Sequence, residues 1–211
     1  PAVYHSAREG GDVRTISVER TTRETDISVS LNIPDTDSER PSGKDEIDIG
    51  TGVPFLDHML EGMVFHGGFT GKIRATGDVE IDDHHTVEDV GIVMGHAFRK
   101  AVETHGPVAR FGHAVLPMDD SLAESIVDVS GRSFLVFRVE FPQAYAGRFD
   151  LALVREFFQG FANNAAVNLH IIGHYGLNGH HLAEAIFKST GRALGGAYAP
   201  VDAVRSTKGV L

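Results

Sequence analysis

Two short stretches of this chain hold residues that could do chemistry. In "DDHHTVEDVGIVMGHA" (82–97) His84 and His85 are followed by Glu88, and in "GHHLAEAIFKSTGRAL" (179–194) His180 and His181 are followed by Glu184. On a helix, residues four apart share a face, while immediate neighbours diverge by roughly 100°. His84 with Glu88, and His180 with Glu184, can therefore each offer a nitrogen and an oxygen to one cation. His85 and His181 must point elsewhere. A single histidine at a helix start is most often solvated or a cap; finding the same pattern twice argues for metal binding.

The duplication extends further. "FLDHML" (55–60) corresponds to "LVREFF" (153–158), with His58 26 residues before His84 and Glu156 24 before His180. Pseudo-symmetry then predicts two ions, each served by both motifs. His85 joins His180 and Glu184 with His58 beside it, and His181 joins His84 and Glu88 with Glu156 beside it. Imidazole and carboxylate donors without thiolate suit Mn, Fe, Ni or Zn with positions left open for a substrate. Manganese is the expected ion. His5, His66, His96, His105, His113, His170 and His174 lack the duplication and are expected in core, surface or supporting positions.

These motifs need elements to hold them. "TDISVSLNI" (25–33) alternates as a half-buried strand, and "PDTDSERPSGKDE" (34–46) reads as a long exposed hairpin connection to a return strand at "IDIG". A helix is predicted from Pro54, a strand or hairpin within "GKIRATGDVEID", and a helix over about 84–104 with one apolar stripe. Downstream, "SIVDVSGRSFLVFRVEF" suggests two strands around a Ser-Gly turn. It is followed by a helix in "FDLALVREFFQGFANN", a strand in "AVNLHIIGHYG" and a final helix from His180. The fold class is α+β: two tandem pseudo-symmetric halves, 1–105 and 106–211, each a small mixed sheet packed by two helices. A single continuous sheet with four helices is the alternative.

Composition excludes several classes. The 211 residues carry a net charge of −10, with 42% apolar and 23% charged residues, as in ordinary globular proteins. No Lys/Arg run marks a nucleic-acid or anionic-membrane surface. There is no cysteine, so thiolate metal sites, disulfides and cysteine nucleophiles are out. No apolar run reaches the roughly 20 residues of a membrane helix, and "PAVYHSAREGG" lacks a signal-peptide pattern. A cytoplasmic protein is expected.

The stretches "TTRETDISVSLNI", "TGVPFLDHML", "DDHHTVEDVGIVMGHA", "FANNAAVNLHI", "GHHLAEAIFKSTGRAL" and "STKGVL" together resemble the imidazoleglycerol-phosphate dehydratases, over about residues 14–211. The resemblance implies a tandem fold of the ribosomal protein S5 domain 2-like type, with about four strands per half. It also implies two Mn2+ per active site and a homo-oligomer of about 24 subunits with active sites at subunit interfaces. By position, one ion would take His58, His85, His180 and Glu184. The other would take His84, Glu88, His181 and residue 156, where the family often has histidine in "VEHFF" and this chain has Glu156. The connection at 34–46 is also longer than the family's usual turn.

The implied reaction removes water from D-erythro-imidazoleglycerol phosphate to give imidazoleacetol phosphate in histidine biosynthesis. Metals holding both ring nitrogens would favour the ring's anionic form, which is electron-rich enough to expel the hydroxyl on the adjacent carbon. A base then removes a proton from the next carbon, and the enol becomes a ketone. The resemblance makes Glu24 in "RETD" that base. It makes Arg110, Arg132, Lys188, Ser206, Thr207 and Lys208 substrate contacts, with cations and hydroxyls suited to phosphate. From the residues alone, a binuclear metallohydrolase of a small phosphorylated substrate and a metal-stapled, non-catalytic assembly remain open.

Overall fold

A computed structural model of the chain describes residues 3–5, 15–34 and 46–203. The first half comprises β1 (Val3–His5), β2 (Thr15–Thr21), β3 (Thr25–Asn32), β4 (Ile47–Gly50), α1 (Pro54–Gly67), β5 (Thr70–Gly77) and α2 (His84–His105). The second comprises β6 (Phe111–Met118), β7 (Ser121–Asp128), β8 (Phe134–Arg138), a small hairpin β9 (Tyr145–Ala146) and β10 (Phe149–Asp150), α3 (Leu153–Ala165), β11 (Asn168–Tyr175) and α4 (Gly179–Ala197). Among the described residues no helix is long and apolar enough to cross a membrane.

Alternation drives the sheets. β3 buries Thr25, Ile27, Val29 and Leu31 on one face, and β7 buries Ser121, Ala123, Ser125 and Val127. The strand order is β1-β2-β3-β5-β4 in the first sheet and β6-β7-β11-β8 in the second. With the three-residue β1 set aside, the two sheets have the same topology: an antiparallel hairpin, then a strand–helix–strand unit whose last strand slots into the middle. The α+β reading with two tandem halves holds.

Two local expectations do not. The stretch 34–46 is not a hairpin connection, because β4 pairs parallel with β5 (Ile49 opposite Ile73) and not with β3. β4, α1 and β5 form a crossover unit, and a parallel neighbour cannot be reached by a tight turn. The strands around the Ser-Gly turn are likewise separated, since β11 lies between β7 and β8. Residues 35–45 themselves lie outside the described residues.

The halves are joined through their helices. α2 packs on β2, β3 and β5, and α4 on β6, β7 and β11, but α1 packs mainly on α4 and α3 on α2. Glycines permit the close crossings: a Cβ on Gly191 would strike the Met63 carbonyl, and one on Gly95 would strike the Phe161 carbonyl. Around them Phe98, Phe157, Phe158, Phe161 and Phe187 form a continuous buried aromatic cluster.

Candidate metal centre

Both paired histidines lie at helix starts, and the side chain two residues upstream accepts from the backbone N–H of His84 and of His180; Asn178 is the N-cap of α4. The His84 backbone N–H donates to Asp82 Oδ1 (2.8 Å), and that of His180 to Asn178 Oδ1 (2.9 Å). The helical geometry then sets the side chains. His84 Nε2 stands 3.7 Å from Glu88 Oε2, and His180 Nε2 stands 3.4 Å from Glu184 Oε2. The neighbouring rings diverge as expected, at 85° between planes in each pair.

The α1–α4 crossing adds a third donor. His58 Nε2 is 3.7 Å from Glu184 Oε2, and the ligand atoms of His58, His180 and Glu184 all lie within 4.8 Å of one another. Two imidazole nitrogens and a carboxylate oxygen at these separations fit a divalent first-row ion with bonds of about 2.1 Å. Glu184 is buried, and Lys188 Nζ holds its other oxygen at 2.6 Å. Burial works to raise this carboxyl; the bond and charge of Lys188, with His58 and His180, outweigh it and keep the group below its ordinary range.

The second crossing repeats the first. His58 is five residues before Met63, whose carbonyl meets Gly191, and Glu184 is seven before Gly191. Glu156 is five before Phe161, whose carbonyl meets Gly95, and Glu88 is seven before Gly95. Residue 156 thus stands to Glu88 as His58 stands to Glu184. Its carboxylate is turned to Arg155, with Nη1 to Oε1 at 3.1 Å.

His85 and His181 point away from their own glutamates, and each meets another carboxylate. His85 Nδ1 is 3.0 Å from Asp78 Oδ2, and His181 Nδ1 is 2.6 Å from Asp120 Oδ1. These bonds raise the pKa of both histidines. The bond to His181, with backbone N–H donors from Leu177 and Asn178, holds the Asp120 carboxyl far below the usual range. Sequence reasoning missed both aspartates. The available signal was the "DD" at 119–120, which directly precedes a strand as Glu24 does.

Two clefts open beside these groups. One of about 330 Å³ is lined by Phe55, His58, Asp83, Arg148, Phe149 and His180. The other, about 650 Å³, is lined by His84 among others and shares Asp83 and Arg148 with the first. Arg148, also missed, thus lies between the two glutamate–histidine groups on the exposed tip of the β9–β10 hairpin.

The remaining expected contacts are dispersed. Glu24 is exposed in the β2–β3 turn, and its carboxylate has no hydrogen bond or ion pair among the described residues. Its charge is felt by His85. Arg110 lies over the Phe111 ring and makes a two-point ion pair with Asp128 (2.7 and 3.3 Å). Arg132 is exposed in the β7–β8 loop, and its carbonyl accepts from Asn168 at 2.6 Å. Both arginines sit at the far end of β7 from Asp120, roughly 25 Å away along an extended strand. Ser206, Thr207 and Lys208 lie outside the described residues.

A duplicated α+β frame that brings imidazole and carboxylate donors together inside a cleft defines a metal-dependent enzyme. The profile of the imidazoleglycerol-phosphate dehydratase family matches residues 51–194. A curated imidazoleglycerol-phosphate dehydratase of Acidithiobacillus ferrooxidans is 50% identical over 202 residues, covering 94% of this chain and 98% of that protein. The crystal structure of the Staphylococcus aureus dehydratase superposes with a TM-score of 0.77 at 36% identity, covering 89% of this chain and 99% of that one. That of Pyrococcus furiosus, in complex with (S)-C348, gives 0.78 at 37% identity, covering 92% and 99%. The chain belongs to the imidazoleglycerol-phosphate dehydratase family, hydro-lyases of histidine biosynthesis.

Proposed function

We propose that the chain dehydrates D-erythro-imidazoleglycerol phosphate to imidazoleacetol phosphate at two manganese ions, in the cytoplasm, as a homo-oligomer of about 24 subunits. The observation that carries this reading is the convergence of His58, His180 and Glu184 donor atoms within 4.8 Å in a chain of this family. One ion would be held by His58, His85, His180 and Glu184, the other by His84, Glu88, Glu156 and His181. Bound there, the ions would supply Lewis acidity toward the substrate.

Active sites at subunit interfaces account for the dispersal of the other groups. Arg110 and Arg132 lie at the opposite end of the second sheet from His181. A second copy presenting that end to the histidines would bring phosphate-binding arginines to the metal centre. Lys188, Ser206, Thr207 and Lys208 complete the proposed contacts to the substrate.

The chain's residues then divide the work. Lys188 occupies Oε1 of Glu184 and leaves Oε2 facing His58 and His180. Glu24, exposed and unbonded, takes the proton from the carbon next to the one that loses hydroxyl. The proton and the hydroxyl together make up the water released, and the enol left behind becomes the ketone.

The test is an assay of metal-stripped protein with and without added Mn2+, following ketone and inorganic phosphate separately. We expect ketone to form only with Mn2+, and phosphate release to stay at background. Phosphate without ketone would replace this reading with a binuclear hydrolase. Assembly on metal addition without turnover would leave only a structural staple.

A further inference from the structure

His85 and His181 make the same contact from non-equivalent places. In the first half the carboxylate on Nδ1 comes from Asp78, the residue after Gly77 at the end of β5. In the second half the corresponding place, after Gly176 beyond the end of β11, holds Leu177. There the carboxylate comes instead from Asp120, in the turn before β7, the place that Glu24 takes before β3. A contact inherited by duplication alone would use equivalent positions. Made twice from different strands, the contact itself is what both halves retain.

The chemistry of the contact is definite. An ionised carboxylate only accepts hydrogen bonds, so each Nδ1 must carry the proton and donate it. The neutral ring is then left with its lone pair on Nε2. His58, His84 and His180 also face their glutamates through Nε2. His84 and His180 face a glutamate one turn along the same helix; at that spacing from His85 stands Asp89, whose carboxylate is taken by Thr25 and Arg20, and from His181 stands Ala185, so both rings are met by a group from outside their helix.

We propose that Asp78 and Asp120 are positioning residues that lock His85 and His181 in the Nδ1–H tautomer and so present Nε2 as the metal-binding atom. In the second half this role occupies the carboxylate at the turn. In the first half Asp78 takes the role, which leaves Glu24 unbonded at the equivalent turn. The inference rests on the reading of His85 and His181 as ligands, and it adds the groups that determine which ring nitrogen binds.

The test uses the full-length chain in four variants: Asp78→Ala, Asp78→Asn, Asp120→Ala and Asp120→Asn. Long-range 15N NMR of the metal-free proteins at about pH 9, where the rings are neutral, reports the tautomer. Titration with Mn2+ alone reports affinity. We expect each alanine variant to shift its histidine toward the Nε2–H form and to weaken Mn2+ binding about 10- to 100-fold. Each asparagine variant, whose amide oxygen still accepts from Nδ1–H, should restore the tautomer and most of the affinity. A ring that stays Nδ1–H in the alanine variant overturns the proposal, as does equal loss of metal in the alanine and asparagine variants. The ligand reading fails separately, through wild-type Mn2+ affinity in His85→Gln or His181→Gln.

Discussion

Glu24 and Asp120 stand at matching places in the two halves, each directly ahead of an eight-residue strand, yet only the Asp120 carboxylate is bonded to a histidine. The pseudo-symmetry is therefore broken at a chemically meaningful point. One turn carboxylate is bonded to a ring, and the other is exposed.

From this asymmetry we expect Glu24→Gln to reduce kcat by about 10²- to 10⁴-fold, the usual contribution of a positioned acid or base. Mn2+ affinity should change little, because the Glu24 carboxylate touches no proposed ligand. Steady-state formation of the ketone together with a Mn2+ titration reads both quantities. Full turnover with intact metal binding would remove Glu24 from the reaction.

Glu156 invites a second prediction, because it stands to Glu88 as His58 stands to Glu184. Replacing it by alanine should lower the Mn2+ content of the purified protein at the site of His84 and Glu88, leaving the His58 site occupied. Glu156→His should retain both ions, since an imidazole at this place reproduces the donor of the other half. Metal content measured by mass spectrometry distinguishes the outcomes; an alanine variant with undiminished Mn2+ would exclude Glu156 as a ligand.

Much of this arrangement was legible in the sequence, for identifiable reasons. The helices at His84 and His180 carry cap residues, apolar stripes and the repeated motif, all local signals. Long-range pairing was harder. β2 went unread because it buries only Ile16 and Val18 among charged and polar neighbours. The insertion of β5 between β3 and β4 depends on crossover geometry that adjacent residues do not encode. The Asp120 contact spans 61 residues, and the Asp78 contact, though local, falls just after a strand, where no periodicity points to it. Glu156 was singled out as a departure through the resemblance alone; its relation to Glu88 emerged only from the helix crossings.

The crossings are themselves vulnerable. Gly191→Ala would place a methyl group against the Met63 carbonyl, a backbone atom of another helix that cannot swing aside. Overpacking of this kind costs about 1–3 kcal/mol and more where relief needs backbone movement. Denaturant unfolding should show the loss. Because the same crossing sets the distance from His58 to Glu184, Mn2+ affinity should fall with it. Gly106→Ala is a poor control, since Gly106 has a positive φ of 93°; Gly196→Ala, where the nearest atom is at 3.9 Å, is the better one.

A buried ionic group next to the first motif gives another measurable quantity. Asp89, adjacent to Glu88, accepts from Thr25 Oγ1 at 2.5 Å and pairs with Arg20, tying the start of α2 to β2 and β3. Both charged side chains are largely buried, at 15% and 11% exposed. Removing the Asp89 carboxylate deletes this ion pair and the Thr25 bond together, and we expect Asp89→Ala to destabilise the fold by about 1–3 kcal/mol. A loss well below about 1 kcal/mol, the scale of a surface pair, would show that the tie does not hold α2 to the sheet.

The pH dependence of the metal-free protein follows from histidines shifted in opposite directions. Burial lowers the pKa of His66, with Lys188 and Arg192 adding to the effect, and burial lowers that of His96, with Arg99 and Arg20 adding. Such groups bind protons more readily in the unfolded chain, so the fold loses stability as pH drops below their ordinary value of 6.5. His85 and His181 are raised by Asp78 and Asp120, so their contribution is complete below 6.5 and is lost as pH rises through the higher folded values. Tm measured without metal should therefore peak near pH 6.5 and decline on both sides. Asp78→Asn with Asp120→Asn should flatten the alkaline side, and His66→Gln with His96→Gln the acid side above the carboxylate range. A profile with no maximum in that region would contradict the opposed shifts.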